Sequence, residues 1–273
     1  MNGLHGKTAI VTGGSSGIGQ AIAIRLAQEG VNVAINYVGQ PDGADKTKDL
    51  IDASIDSCTG AIRDHGHEPL LVKADVSKAD QVHQMFAETI DHFGGIDFLI
   101  NNAGIQISAD TDKLRVEDFD KVLDVNLRGS FLCAQSALLH WLYADKPGAI
   151  VNVSSVHQEI PKPRFLGYSV SKGGMQNLTR SLALEYAGRK IRVNAIAPGA
   201  TITPINRAWV DDPEKAAMVV AHIPMGRAGT AEEMAAITAF LLSDDSAYVT
   251  GQTLFVDGGL TLFADFRTTW SSE

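Results

Sequence analysis

The chain is poor in the residues that hold metals, disulfides or nucleic acids. Only two cysteines occur in 273 residues. Cys58 and Cys133 lie far apart with no C-x-x-C or Cys/His ligand spacing, so both read as ordinary reduced thiols and neither a zinc site nor a redox pair is indicated. The eight histidines form no H-x-x-x-H or H-E-x-x-H pattern, and no metal is expected. A formal net charge of -9 without any Lys/Arg run excludes the clustered basic face that phosphate backbones require, so no nucleic-acid partner is expected. No apolar stretch reaches the length of a membrane span, and the opening Met1-Asn-Gly-Leu-His-Gly-Lys7 lacks the basic-then-apolar order of a signal peptide. The expectation is a cytoplasmic protein with no membrane partner. Internal repeats and low-complexity segments are missing as well.

What is present is enough apolar residue, 45% of the chain, to bury one sizeable core, and a single domain over 1–273 is expected. Seven short apolar runs rich in β-branched residues alternate with helical stretches: Thr8–Val11, Val31–Asn36, Leu70–Lys73, Phe98–Asn101, Ala149–Val153, Arg192–Ala197 and Thr253–Val256. That alternation predicts an α/β fold, a doubly wound parallel sheet of seven buried strands with helices on both faces. Capping boxes are expected where Ser77 precedes Asp80 and Thr230 precedes Glu233.

The segment Thr12-Gly13-Gly14-Ser15-Ser16-Gly17-Ile18-Gly19 follows the first run and precedes a helical pattern, Gln20 to Gln28. Glycines between a strand and a helix permit a tight turn and let a pyrophosphate approach the helix N-terminus, as in Rossmann-type folds. A glycine-rich turn alone is also just a tight connection. Its spacing here is G-x-x-x-G-x-G. Further along, Tyr168 and Lys172 are i and i+4 neighbours if they share a helix, so the ammonium can lower the phenol pKa. Such a phenol can trade protons near neutral pH. Ser155, thirteen positions upstream, can then hydrogen-bond the same substrate oxygen. Taken alone, a tyrosine and a lysine one turn apart are equally what a solvated helix face produces.

With Asn101-Asn102-Ala103-Gly104 and Asn126, these motifs make the chain resemble the short-chain dehydrogenase/reductase family from about Lys7 to the C-terminus. The resemblance implies a nicotinamide cofactor that performs the hydride chemistry. Tyr168 would be the general acid/base, Lys172 would lower its pKa and bind the nicotinamide ribose, and Ser155 would polarise the substrate oxygen. Asn126 would hold a water connecting Lys172 to solvent, although a structural amide is the other reading. The implied cofactor contacts fall after successive strands: Gly13, Ser15, Ser16, Gly17, Ile18 and Gly19, then Tyr37, then Asp75 and Val76 at the adenine. Asn102, Ala103 and Gly104 follow at the adenosine ribose, with Pro198, Gly199, Thr201 and Thr203 at the carboxamide. Tyr168 and Lys172 complete the set.

Tyr37-Val38-Gly39 supplies neither the acid of NAD-selective relatives nor the cation of NADP users, and Ser16 stands where many NADP-linked relatives carry a base. NAD is therefore the expected cofactor, with NADP as the alternative. The segment from Gly39 to Gly66 looks longer than usual. Its Lys46 and Lys48 read as solvated helix-start residues.

Within the family, Ser154 to Pro163, Thr203 to Asn206 and Tyr248 to Leu262 are similar to the bacterial glucose 1-dehydrogenases. That similarity implies an aldose or related polyol as small-molecule substrate, met by Ser155, Tyr168, His157 and Gln106. His157 reads equally as a packed loop histidine. Gln106 replaces a glutamate and Val38 an arginine common in those enzymes. Ala200 to Gly229 reads as a mobile lid. Phe263, Phe266 and Trp270 on a polar tail read as a subunit contact, and the family implies a homotetramer. Two rival functions stand beside this one. The first is a 3-oxoacyl-thioester reductase or another secondary-alcohol dehydrogenase, with Arg128 and Lys121 as a faint basic patch. The second is a non-catalytic dinucleotide-binding protein, against which the tuned phenol argues.

Overall fold

The computed structural model describes residues 1–56 and 68–262. Cys58, Phe263, Phe266 and Trp270 lie outside the described residues, as does much of the second half of the segment from Gly39 to Gly66.

Seven strands form one sheet: β1 (Thr8–Val11), β2 (Asn32–Tyr37), β3 (Leu70–Lys73), β4 (Phe98–Asn101), β5 (Gly148–Val153), β6 (Ile191–Pro198) and β7 (Thr253–Val256). Their order is β3-β2-β1-β4-β5-β6-β7, and every pairing is parallel. This is a single Rossmann-type domain. Chain order reverses between β1 and β4, so the crossovers leave in opposite directions and a cleft opens beyond the carboxyl ends of these strands. Four strands keep the bounds read from the sequence. The other three differ by a residue at one or both ends.

Both faces of the sheet are covered, because alternate strand residues point to opposite sides. On one side Val11, Ile35, Ile100, Val151 and Ile196 pack beneath α1 (Gly17–Gln28) and α9 (Ala231–Leu242), whose Ile22, Leu26, Met234 and Ala239 are buried. On the other, Ile10, Leu99, Ile150 and Val193 meet Met85 and Phe86 of α3 (Ala79–Phe93) and Leu132, Leu138 and Trp141 of α5 (Gly129–Tyr143). Each such buried side chain contributes about 1.5–3 kcal/mol. Trp141 also donates from Nε1 to the Ile96 carbonyl at 2.8 Å, and its ring occupies the space a Cβ on Gly148 would need. Cys133 sits in this cluster, where burial pushes its thiol up to about 12 and leaves it unreactive.

Three sequence expectations need correction. The outer strands are not fully buried: β7 is partly exposed along its length and Phe255 is 39% exposed, since an edge strand has a neighbour on one side only. The Thr230–Glu233 capping box forms in both directions, whereas the Ser77–Asp80 box does not. Lys78 is the N-cap of α3, and Ser77 instead donates from both N and Oγ to Asp75 Oδ1, at 2.9 and 2.7 Å. An aspartate two residues upstream outcompetes the helix for that hydroxyl. Finally, α1 begins at Gly17, inside the glycine motif, rather than at Gln20.

Candidate active site

The carboxyl ends of the strands enclose a cavity of about 580 Å³. One wall is the turn from β1 to α1. Gly13 has φ +61° and Gly17 φ +56°, a left-handed backbone that glycine adopts without penalty. A Cβ on Gly13 would stand 3.0 Å from Ala103 Cα and 3.2 Å from Asn102 Nδ2, so the turn is pressed against the end of β4. Asn102 donates from Nδ2 to the Thr12 and Gly13 carbonyls at 2.9 and 3.1 Å. From the other side the Asn36 amide oxygen accepts from Gly13 N at 3.2 Å, and the Asn36 carbonyl accepts from Gly14 N at 2.9 Å. Ser16 caps α1 in an extended conformation without using its side chain, leaving the first amides of the helix available to an anion. These groups suit a dinucleotide pyrophosphate: a narrow cradle that a Cβ would fill, with backbone donors at the helix start.

Ser15, Ser16, Gly17 and Ile18 line the cavity with Gly13. Asp75 and Val76 also line the cavity, and Asp75 Oδ1 is held by Ser77. Asn102, Ala103 and Gly104 lie along the floor, with Pro198, Gly199, Thr201 and Thr203 beyond. Two expected residues stand off the wall. Tyr37 packs against the hydrophobic core, and Gly19 is buried beneath the turn, where a Cβ would overlap Gly13 O and Asn102 Nδ2. Asn36 does line the cavity and was not singled out from the sequence. An amide ending an otherwise apolar strand was the available signal.

The opposite end holds the reactive groups. Ser155 follows β5 and is nearly inaccessible, with 6% exposed. Tyr168 and Lys172 lie one turn apart on α6 (Leu166–Tyr186), and all three line the cavity. The Ser155 hydroxyl is near enough to the phenol to oppose the rise of its pKa, and its oxygen accepts from His157 N at 3.2 Å. Lys172, 3% exposed, donates from Nζ to the Val153 carbonyl at 2.7 Å and lies 5.6 Å from the Tyr168 ring centroid. Burial pulls its pKa down to about 8.

The net shift of the phenol is upward, not the lowering expected from the lysine. Burial raises Tyr168 above its ordinary value, and the opposing influence is the Ser155 hydroxyl. The ammonium is aimed at a backbone carbonyl, so its charge acts on the phenol from a distance. At neutral pH Tyr168 is therefore a proton donor.

Asn126 is fully buried in a π-helical turn, Asp124–Arg128, between α4 (Val116–Leu123) and α5. Its Oδ1 accepts from Ile105 N at 2.8 Å, and its Nδ2 donates to the Ile105 carbonyl at 2.9 Å and to Ser171 Oγ at 3.0 Å. Ser171 donates onward to the Tyr168 carbonyl at 2.7 Å. The side-chain amide thus joins the loop after β4 to the helix that carries Tyr168.

Gln106 lines the cavity near Ile105 and Gly104. His157 Nδ1 pairs with the Ile160 carbonyl at 2.9 Å, and its ring meets Tyr168 edge to face at 6.1 Å between centroids. Burial lowers its pKa, so the imidazole is neutral. Lys121 lines the cavity. Arg128 instead donates to the Ser77 carbonyl, which dissolves the basic patch paired from the sequence. After the cavity-lining residues Thr203 to Asn206 come α7 (Arg207–Val210) and α8 (Pro213–Ala221), neither with a buried residue. The excursion closes at its base, where Ile202 N donates to the Gly229 carbonyl and Gly229 N to the Ala200 carbonyl, each at 2.9 Å.

The family model described as enoyl-(acyl carrier protein) reductase matches residues 13–261. A glucose 1-dehydrogenase of Gluconobacter oxydans is 47% identical over 272 residues, covering 98% of this chain and 96% of that protein. A 3beta-hydroxysteroid dehydrogenase of Eggerthella lenta is also 47% identical, over 264 residues, with 97% of each chain covered. A chain from Agrobacterium tumefaciens solved with bound NADP superposes with a TM-score of 0.84 at 33% identity, over 95% of this chain and 98% of its own. Among the described residues no helix is long and apolar enough to cross a membrane.

Proposed function

The chain belongs to the short-chain dehydrogenase/reductase family, an enzyme family acting on CH–OH donors, and from that premise we propose that it interconverts an aldose or related polyol and its carbonyl product using NAD. The observation that carries this reading is one cavity with the glycine turn at one end and Ser155, Tyr168 and Lys172 together at the other.

A bound nicotinamide supplies the hydride chemistry. The chain supplies placement and proton handling. In reduction the Tyr168 phenol donates its proton to the substrate oxygen while the Ser155 hydroxyl stabilises charge on that oxygen. In oxidation the phenol must first lose a proton. The Lys172 ammonium would favour that loss through its charge, and Lys172, which lines the cavity, would bind the nicotinamide ribose. Asn126 and Ser171 hold the helix bearing Tyr168 in register with the loop after β4. Gly13, Ser15 to Ile18, Asp75, Val76 and the residues from Asn102 to Gly104 would hold the adenosine and pyrophosphate. Pro198 to Thr203 would hold the carboxamide.

The preference for NAD is supported by Val38, 70% exposed at the cavity and uncharged, and by Asp42 and Asp45 in the first turn of α2 (Asp42–Asp56). NADP, bound in the Agrobacterium relative, is the weaker coenzyme. The polyol assignment is supported by the identity with the Gluconobacter glucose 1-dehydrogenase and by Gln106 lining the cavity. The excursion from 200 to 229 would close over the substrate as a lid. Exposed apolar residues on α5 and α6, among them Leu139 at 60% and Leu184 at 87%, fit burial in a homotetramer, and the cytoplasm is the assigned location.

A second reading, reduction of a 3-oxoacyl thioester, is favoured by 38% identity over 254 residues to a 3-oxoacyl-(acyl-carrier-protein) reductase of Staphylococcus epidermidis, covering 93% of this chain and 98% of that protein. Nicotinamide absorbance followed with NAD and NADP across sugars, secondary alcohols and 3-oxoacyl thioesters decides between them. Turnover of aldoses with NAD at the highest kcat/KM is expected. Turnover of thioesters alone would overturn the polyol assignment.

A further inference from the structure

The glycine turn is held from three sides, and the third holder lies outside the residues assigned to the site. Thr47 on α2 is completely buried. Its Oγ1 lies 3.1 Å from the Gly14 carbonyl and 2.8 Å from the Gly43 carbonyl, and it accepts from Gln20 Nε2 at 2.9 Å. A helical threonine commonly bonds the carbonyl four residues back, as here to Gly43. Two further partners make this one different. The Gln20 amide donates to the hydroxyl oxygen, so the threonine hydrogen must go outward to a carbonyl, shared between Gly43 and Gly14.

The effect on the turn follows from peptide geometry. In a trans peptide the C=O of one residue and the N–H of the next point in opposite directions. The first two peptides of the turn obey this visibly. The Thr12 and Gly13 carbonyls face Asn102, while the Gly13 and Gly14 N–H groups face Asn36. The third peptide is held at its carbonyl by Thr47, which turns the Ser15 N–H away from α2 and towards the cavity that Ser15 lines. Among the described residues the Ser15 N–H donates to no protein group. Helix α2 also approaches closely enough that a Cβ on Gly43 would lie 2.8 Å from the Ser15 carbonyl, so the next peptide faces the same helix.

We propose that Thr47, with Gln20, is a positioning residue that fixes the direction of the Ser15 amide so that the turn presents a donor, and not a carbonyl, to the coenzyme pyrophosphate. This rests on the dinucleotide reading above. A freed Gly14–Ser15 peptide could rotate and direct its carbonyl oxygen towards the phosphates, where it would repel them.

The test compares ADP-ribose with adenosine by calorimetry on the full chain, in native protein and in Thr47→Val, Thr47→Ser and Gln20→Met. Thr47→Val should weaken ADP-ribose binding about tenfold, the loss of one hydrogen bond to a charged group, and leave adenosine binding unchanged. Thr47→Ser should restore ADP-ribose affinity, and Gln20→Met should lose part of it. If Thr47→Val folds poorly, Thr47→Ser and Gln20→Met still separate the cases. Equal weakening of both ligands, or no weakening of either, overturns the role of Thr47. A native chain that binds adenosine but neither ADP-ribose nor NAD would overturn the dinucleotide reading itself.

Discussion

The two ends of the cavity are built by different means. At the nucleotide end, contacts come from strand ends and a glycine turn locked by buried amides: Asn36 and Asn102 hold consecutive peptides of the turn, and Asn36 is itself anchored to the Ala74 carbonyl at 2.9 Å. At the substrate end the wall includes Ile205, 53% exposed, on a segment whose two helices bury no residue. A ligand shared by many enzymes can be met by rigid backbone donors. On the proposed reading, selectivity among substrates would be carried by exposed side chains that can be exchanged without disturbing the sheet. Ser155, Tyr168 and Lys172 sit at this second end, opposite the glycine turn.

The sharpest way to separate chemistry from scaffold is Lys172→Met. Turnover should fall about a thousandfold, within the range of lost acid/base assistance. Stability should move the other way. Lys172 has a pKa of about 8 in the fold against 10.5 as its ordinary value. Between those values the unfolded chain binds more protons, so native stability rises with pH across that window and is poorest below it. Met removes the cost of the buried charge, and Tm at pH 7 should rise, with the gain shrinking towards pH 10.5. A lower Tm at pH 7 would contradict this account of the buried amine.

Breaking the rigid end should cost less in turnover and more in coenzyme binding. Gly13→Ala forces a Cβ into a left-handed turn 3.0 Å from Ala103 Cα, a strain of about 1–2 kcal/mol or more. The KM for NAD should rise about tenfold, read from initial rates at saturating substrate. An unchanged KM would mean that the turn does not hold the coenzyme. Adding a cation beside the ribose, Val38→Arg, should raise kcat/KM for NADP relative to NAD by about tenfold through a charge-assisted contact to the 2′-phosphate. A ratio that does not move would place the ribose elsewhere. The smallest expected effect is on pH dependence. Because burial raises the Tyr168 phenol, alcohol oxidation should accelerate steadily with pH from neutrality, while carbonyl reduction should not. Equal profiles in both directions would show that a different group exchanges the proton.

The rigid end was the more legible in the sequence. The glycine spacing, the strand runs and Asn102-Ala103-Gly104 are local patterns whose physical meaning survives without knowledge of neighbours. What escaped was set by three-dimensional contact. Asn36 acts through an amide directed at the turn, whereas Tyr37, one residue on and on the opposite side of the strand, packs into the core. Ser77 was claimed by an aspartate two residues away. Arg128 was captured by a carbonyl. The direction of the Tyr168 shift was misread for a related reason. Spacing places an ammonium one turn from the phenol, but it cannot say that burial outweighs that charge or that the ammonium is aimed at Val153.

Tyr168→Phe is the direct test of proton exchange at the cleft, since it deletes one oxygen and keeps the ring that packs against His157. With kcat and NAD affinity measured on the same preparation, kcat should drop about a thousandfold while NAD affinity stays within about twofold of native. A variant that turns over at the native rate would contradict the assignment of Tyr168 as the acid/base.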